Sequence, residues 1–250
     1  MIKISDTEYF SNDRTIRFLN MDCNEFMAGL KENEFDLNLS DPNYGISAAK
    51  PSIKPCKCKQ KNGTVLNVSQ PNYKHKEWDD NVVETETINK ITETSKNQIL
   101  FGINYYCTDS LKGGRIVWDK LNGECDQFGC EIAYCSINQR TDVVYYLWSG
   151  MFQGIYCGKD ARKALVQQGN KQLNETRIHV TQKPVILYRY LLLNYTKPSD
   201  NILDCFGGSM SNAIACHMER RKLTIIELDS DYFKSALKRF DMYERQMKLF

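Results

Sequence analysis

The sequence predicts an α/β fold built on a doubly wound sheet, and three observations carry that expectation. Short apolar runs of strand length alternate with stretches of helical character. Two of the runs, Phe35 to Ser40 and Asn201 to Asp204, pass straight into acid-bearing turns: Asp41-Pro42-Asn43-Tyr44-Gly45 and Asp204-Cys205-Phe206-Gly207-Gly208-Ser209. From Pro184 onward the alternation becomes regular, and its length of 250 residues fits one large domain or a domain with a small insertion.

Taken in order, Arg17-Phe18-Leu19-Asn20 reads as a strand ending near Asp22, followed by a short helix over Asn24 to Leu30. Phe35 to Ser40 is the second strand. Thr85 to Ser95 reads as a helix, and further strands fall at Gln98–Ile103, Arg115–Trp118, Glu131–Ile137 and Val143–Trp148. A helix over Pro184 to Asn194 opens on a proline, whose missing N–H costs nothing in the first turn. A strand at Asn201–Asp204, a glycine turn, a helix over Ser211 to Arg220, a strand at Leu223–Glu227 and a final helix from Asp231 to Lys248 complete the unit.

Two stretches break this alternation. Ile46 to Lys76 shows no sustained period and carries seven lysines (Lys50, Lys54, Lys57, Lys59, Lys61, Lys74, Lys76) without a single Asp or Glu. A structureless connection of that length is usually functional or disordered. Gly150 to Arg177 is rich in Gln, Asn and Lys and mildly basic.

Composition excludes several classes. Lys+Arg of 33 against Asp+Glu of 31 leaves a net charge of +2, so no strongly basic global field exists and a nucleic-acid surface must come from local segregation of charge. No apolar stretch reaches the roughly 18 residues of a membrane span, and the start MIKISDTEYFSNDR lacks the apolar core of a signal peptide. The expectation is a cytoplasmic protein whose ten cysteines are free and mostly buried. Cys56-Lys57-Cys58 lacks the second pair a zinc site needs, so no metal is expected.

Three constellations carry chemistry. In the first, a buried strand ends in Asp204 and a double-glycine turn that feeds a helix. Glycines let a ligand approach the backbone, and the helix offers its N-terminal N–H groups. The next strand ends in Glu227, a tip carboxylate suited to ribose hydroxyls, which is the nucleoside geometry of a doubly wound sheet. The second is Asp41-Pro42-Asn43-Tyr44, which suits a planar amine-bearing substrate. The acid accepts an amine hydrogen, the proline fixes a neighbouring carbonyl as second acceptor, and the ring stacks. In the third, His179-Val180-Thr181-Gln182-Lys183-Pro184 sets polar side chains and a lysine at a helix start, suited to a carboxylate. Each alone is also an ordinary turn or helix start; their conjunction in this order is what counts.

That conjunction resembles the β-group of DNA amino-methyltransferases, the circularly permuted family in which the target-base motif precedes the cofactor motif. The family's D-P-P-Y is similar to Asp41 to Tyr44, its H-P-T-Q-K-P to His179 to Pro184, and its D-P-F-x-G-S-G-T to Asp204 to Ser211. Asn97-Gln98-Ile99 with Asn104-Tyr105, Val117-Trp118-Asp119-Lys120, Glu131-Ile132-Ala133 and the run Lys74 to Asp79 also look like stretches of small phage-type members. The likeness extends from about residue 17 to 240.

The resemblance implies a Rossmann-like, seven-stranded, mostly parallel sheet, circularly permuted, with DNA-contacting insertions. It also implies that the chain's two ends lie close together. It divides the chain into a first catalytic part with the target-base motif (1–45), a basic DNA-contacting loop (46–77), the continued sheet (78–149), a target-recognition segment (150–178) and a cofactor-binding part (179–250). The implied activity is methyl transfer from S-adenosyl-L-methionine to the N6 amine of adenine in double-stranded DNA. Cytosine N4 is the alternative, as are RNA or protein glutamine as substrate and a non-catalytic module that keeps the cofactor pocket. Asp204, Phe206, Gly207, Gly208 and Ser209 would hold the cofactor, Glu227 its ribose, Asp22 its adenine, and Thr181 and Lys183 its carboxylate. Asp41, Pro42, Asn43 and Tyr44 would clamp an extruded base, and the seven lysines would meet phosphates. A homodimer and a companion restriction nuclease are further partners it suggests, and the three histidines need no catalytic role. Four positions depart from the family pattern: Asn43, Val180 and Cys205 replace prolines, and Met210 replaces a glycine.

Overall fold

The computed structural model describes residues 1–48, 56–59, 65–68, 76–106, 111–121, 129–149, 152–155, 165–166 and 174–246. In chain order its elements begin with β1 (Ile2–Lys3), β2 (Glu8–Phe10), β3 (Ile16–Leu19), α1 (Cys23–Met27), β4 (Leu37–Ser40), β5 (Cys56–Lys59), β6 (Val65–Val68) and α2 (Thr85–Thr94). They continue with β7 (Gln98–Phe101), β8 (Gly114–Asp119), β9 (Cys130–Cys135), β10 (Thr141–Ser149), β11 (Phe152–Ile155) and β12 (Leu165–Val166). The last are α3 (Val185–Tyr195), β13 (Asn201–Asp204), α4 (Ser211–Met218), β14 (Lys222–Ile226) and α5 (Ser230–Gln246).

Among the described residues the main sheet has twelve strands in the order β1-β2-β3-β14-β13-β4-β7-β9-β8-β10-β11-β12. Seven strands, from β3 to β8, form its centre, and the eighth strand read from the sequence, Val143–Trp148, is β10 beyond them. Five of them, β3, β14, β13, β4 and β7, run parallel, and β9 lies antiparallel between β7 and β8. β1 and β2 extend one edge; β10, β11 and β12 extend the other.

The parallel centre is buried on both faces: β4 and β7 are buried at every position, although β4 alternates Leu37 and Leu39 with the polar Asn38 and Ser40. Successive residues nevertheless feed two different cores. Phe18, Ile99, Phe101, Ile202 and Ile225 point to one, packed under α3, α4 and α5. Leu19, Leu100, Leu203 and Ile226 point to the other, under α1 and α2. This period of two is what places helices on both faces of one sheet. Among the described residues the start of the chain lies against the last helix: the Met1 ammonium donates to the buried Glu244 of α5 at 3.0 Å.

Two differences from the sequence expectation have physical causes. The stretch from Ile46 to Lys76 is not wholly without structure, because β5 and β6 pair antiparallel as a separate hairpin. Four residues per strand are too few to stand out from the lysine background, although an Asn62-Gly63 pair lies between them in sequence. The Gly150 to Arg177 segment contains β11 and β12, which lengthen the sheet. Lys50, Lys54, Lys61 and Lys74 lie outside the described residues, as does most of the 150–178 segment. Among the described residues, no helix is long and apolar enough to cross a membrane.

Candidate active site

Strand order reverses between β13 and β4: the chain builds outward through β14 and β3 on one side and through β7 on the other. β13 and β4 are parallel neighbours, so their carboxyl ends leave the sheet side by side. Such a switch point opens a crevice for ligands. Here it brings the turn after Asp204 next to the turn after Ser40. Buried polar side chains staple the two: Ser40 Oγ accepts from Cys205 N at 3.0 Å, and Asn212 Nδ2 donates to Leu39 O at 3.1 Å and to Asp204 Oδ2 at 2.9 Å.

On the β13 side, Asp204 is 1% exposed, and its Oδ1 accepts from Phe206 N at 3.0 Å. Burial pushes its carboxyl up to about 7. It does not line the crevice; it shapes the turn from beneath. Gly207 lets that turn lie against β14, since a Cβ there would stand 3.0 Å from Ile226 O. Gly208 N donates to Glu227 Oε2 at 2.6 Å. Burial also lifts Glu227 to about 7. Asp22 caps α1 through Asn24 N at 2.6 Å and, with Phe206, Ser209 and Glu227, faces the crevice.

Met210 does not block the opening. It adopts φ +56° and its side chain is fully buried in the core under α3 and α4. A non-glycine residue held left-handed costs roughly 1–2 kcal/mol, whereas deleting a buried methionine side chain costs about 2–5 kcal/mol. Met210→Gly is therefore expected to lower stability by about 1–3 kcal/mol, checked by denaturant unfolding, even though glycine suits the backbone.

On the β4 side, Tyr44 stacks on Tyr105 with ring centroids 4.7 Å apart. Gly102 is required beneath it, because a Cβ there would come within 2.0 Å of Tyr44 Cε1. The Tyr44 hydroxyl donates to Asp41 Oδ1 at 2.6 Å and accepts from Lys183 Nζ at 3.0 Å. Lys183 also pairs with Asp41 Oδ2 and with Glu131 Oε2, the latter at 2.9 Å. Glu131 Oε1 in turn meets Lys120 Nζ at 2.6 Å. Burial raises the Asp41 carboxyl above the ordinary range, against the pull of Lys183. Burial would raise Glu131 too, but its two lysines override this and hold it at about 2.

The turn carrying Asp41 is held by a segment whose contact with that turn the sequence did not show. Asp79, 2% exposed, accepts from Tyr44 N at 2.9 Å, Gly45 N at 3.0 Å and Ala48 N at 2.8 Å. Asn43 Nδ2 donates to Asn81 O, so the residue standing in place of a second proline is itself fixed. Trp78 packs against His179, with centroids 5.0 Å apart, and Lys76 Nζ binds Asp229 at 2.7 Å and Asp231 at 2.9 Å. The strap from Lys76 to Val83 thus ties the β4 turn to the start of α5. Burial and the Lys183 charge depress His179 to about 4, leaving the ring neutral at physiological pH.

Both turns, Thr181, Lys183, Trp78, His179 and Tyr188 line one cavity of about 500 Å³, within the roughly 300–1,000 Å³ of small-molecule sites. Its lining includes the carboxylates of Asp22 and Glu227 on one hand and the paired Asp41 and Lys183 on the other.

The DNA methylase family, of the N6/N4 type, matches residues 54–238. The chain belongs to the DNA methylase family. The chain is 36% identical over 70 residues to the DNA adenine methyltransferase YhdJ of Escherichia coli (strain K12). That stretch is 28% of the chain, and it spans only 24% of the relative. Its fold is shared with the PvuII DNA methyltransferase (cytosine-N4-specific), with a TM-score of 0.51, 13% identity and coverage of 95% of this chain and 93% of that one. The M1.HpyAVI–SAM complex gives a TM-score of 0.50 at 20% identity, covering 90% of this chain and 98% of that one.

The fold brings Asp22, Asp41, Pro42, Asn43, Tyr44, Thr181, Lys183, Phe206, Gly207, Gly208, Ser209 and Glu227 to one cavity. Asp204 is the exception, buried beneath it. Lys183 lies in the cavity with its ammonium turned into the Asp41–Glu131 cluster, whereas the sequence reading set it beside the cofactor carboxylate. Thr181 Oγ1 lies 3.2 Å from His179 Nδ1. Lys57 and Lys59 lie on β5. Lys76 is engaged by two carboxylates that sequence cannot place beside it, so a phosphate would have to displace Asp229 and Asp231. Trp118, Tyr146 and Trp148 are buried in the core, while Tyr145 is exposed.

Proposed function

We propose that the protein transfers a methyl group from S-adenosylmethionine to the exocyclic N6 of adenine in double-stranded DNA, as a permuted β-group enzyme. The observation that carries this is the single cavity shared by Asp41 and the Gly207–Gly208 turn. The chain's own groups fit the cofactor: the Glu227 carboxylate opens into the cavity at a strand tip, where it suits ribose hydroxyls, beside Asp22 and the Phe206–Ser209 main chain. When bound, that cofactor supplies a methyl group on a sulfonium.

The remaining steps belong to the protein. An exocyclic amine conjugated to its ring is a poor nucleophile, and hydrogen bonds from it to Asp41 and to the Pro42 carbonyl favour a pyramidal nitrogen and relieve its developing positive charge. The stapled turns hold donor and acceptor in line. A base inside a duplex cannot reach Asp41, so it must be extruded. Aspartate at the first motif position and the name of the YhdJ relative both favour adenine over cytosine. The lysine-rich 46–77 stretch, with Lys57 and Lys59 on a hairpin, is the proposed phosphate contact, and 150–178 the proposed recognition segment.

The test is transfer of labelled methyl to duplex DNA followed by nucleoside analysis. N6-methyladenine is expected; N4-methylcytosine would replace the adenine assignment, and absence of transfer to any DNA would contradict the activity. A pH dependence follows from Glu227, whose carboxyl sits at about 7. Only the ionised form accepts both ribose hydroxyls, so protons compete with the cofactor. Its Kd should weaken about tenfold between pH 8 and pH 6, and Glu227→Gln should flatten that dependence in calorimetric titrations.

A further inference from the structure

Lys183 serves two carboxylates at once. Its side chain is 2% exposed, and its ammonium contacts Asp41, Glu131 and the Tyr44 hydroxyl. Glu131 stands on β9, the antiparallel strand, and Lys120 follows β8, so the cluster is assembled from four separate parts of the chain. Its charges balance: Asp41 and Glu131 against Lys183 and Lys120. Both Asp41 oxygens are engaged in this arrangement, Oδ1 by Tyr44 and Oδ2 by Lys183.

That balance matters in the reaction proposed above, on which this inference rests. As the amine lone pair forms the new N–C bond, the carbon–sulfur bond breaks and its electron pair stays on sulfur. The nitrogen then sheds one proton, which Asp41 can accept before passing it to water. At that moment Asp41 loses its charge, and a lysine paired with it alone would be left as a buried, uncompensated cation, a costly state. We propose that Glu131 is a positioning residue for methyl transfer: it shares Lys183 with Asp41, so that the ammonium settles onto Glu131 when Asp41 takes up the proton. Lys120 keeps Glu131 ionised for that purpose.

The groups facing Asp41 are Lys183 from the segment before α3, Tyr188 from α3, Tyr44 from its own turn, Tyr106, Glu131 from β9 and Asp204 from β13. Of these Glu131 and Asp204 oppose its ionisation, while Lys183 and the donating Tyr44 hydroxyl favour it. Removing the Glu131 charge therefore leaves Lys183 wholly to Asp41 and makes Asp41 a weaker base.

The experiment compares wild type, Glu131→Gln and the charge-balanced pair Glu131→Gln with Lys120→Met in single-turnover methyl transfer across pH. The double variant keeps the cluster neutral should the single change unfold the chain. Glu131→Gln is expected to slow transfer about tenfold to a hundredfold at saturating cofactor and to move the acid limb of the pH–rate profile to lower pH. Cofactor Kd is expected to stay within about twofold of wild type. Glu131→Asp should recover part of the rate. Variants with wild-type rates and an unmoved acid limb would overturn the positioning role while leaving the methylation reading intact. A loss explained wholly by weaker cofactor binding would do the same. A wild-type protein that transfers no methyl group would overturn both.

Discussion

Replacing Asp41 with alanine is expected to reduce methyl transfer by about a hundredfold to ten-thousandfold, with cofactor affinity within about twofold of wild type. The loss follows because Asp41 is the carboxylate in the cavity placed to accept from an amine and take its proton. The cofactor end of the cavity, at Glu227 and the glycine turn, does not depend on it. The fold should survive, since Lys183 keeps Glu131 as a partner at 2.9 Å and Tyr44 keeps its stack on Tyr105. Single-turnover transfer and calorimetry on the same preparation check both halves. A variant that loses cofactor binding together with activity would place Asp41 at the wrong end of the site.

The second large effect is expected from Asp79→Ala. One buried carboxylate holds three main-chain N–H groups of the turn that carries Asp41 and Tyr44. Losing them strands those donors, which is expected to cost about 3 kcal/mol and to lower Tm by about 6–12 °C in a chain of this size. Transfer at saturating cofactor should fall about tenfold or more, because the acceptor and the stacking ring lose their fixed positions. Asp79→Asn, which keeps one acceptor oxygen, should fall between. Melting curves and single-turnover rates measured side by side check this; an unchanged rate with a lowered Tm would make Asp79 purely structural.

Much of this architecture was legible in the residues. Asn201 to Asp204 and Phe35 to Ser40 have strand length and strand-like apolar residues, and their carboxyl-terminal acids and turns marked where a crevice would open. The edge strands were not legible. β1 and β12 are two residues long, below any length at which periodicity speaks. Asp79 and Glu131 stood in stretches whose likeness was visible but whose role depends on partners 35 and 52 residues away. Lys76 read as a free cation because its stretch lacks acids, yet Asp229 and Asp231, more than 150 residues later, neutralise it. Asp204 read as a ligand because it ends a strand in a glycine turn; the same position, one residue deeper, makes it the support of that turn. Sequence fixes which groups are present, while long-range packing decides which of them meet.

The central claim is that the Asp41 turn and the Gly207–Gly208 turn serve one reaction in a single crevice. A crystal structure with the demethylated cofactor and a duplex whose target base is extruded tests it most directly. The base's exocyclic nitrogen is predicted to lie within hydrogen-bond distance of Asp41 and about 3–4 Å from where the transferred methyl carbon would sit. A cofactor bound elsewhere than between Glu227 and the glycine turn, or a base whose amine lies away from Asp41, would contradict it.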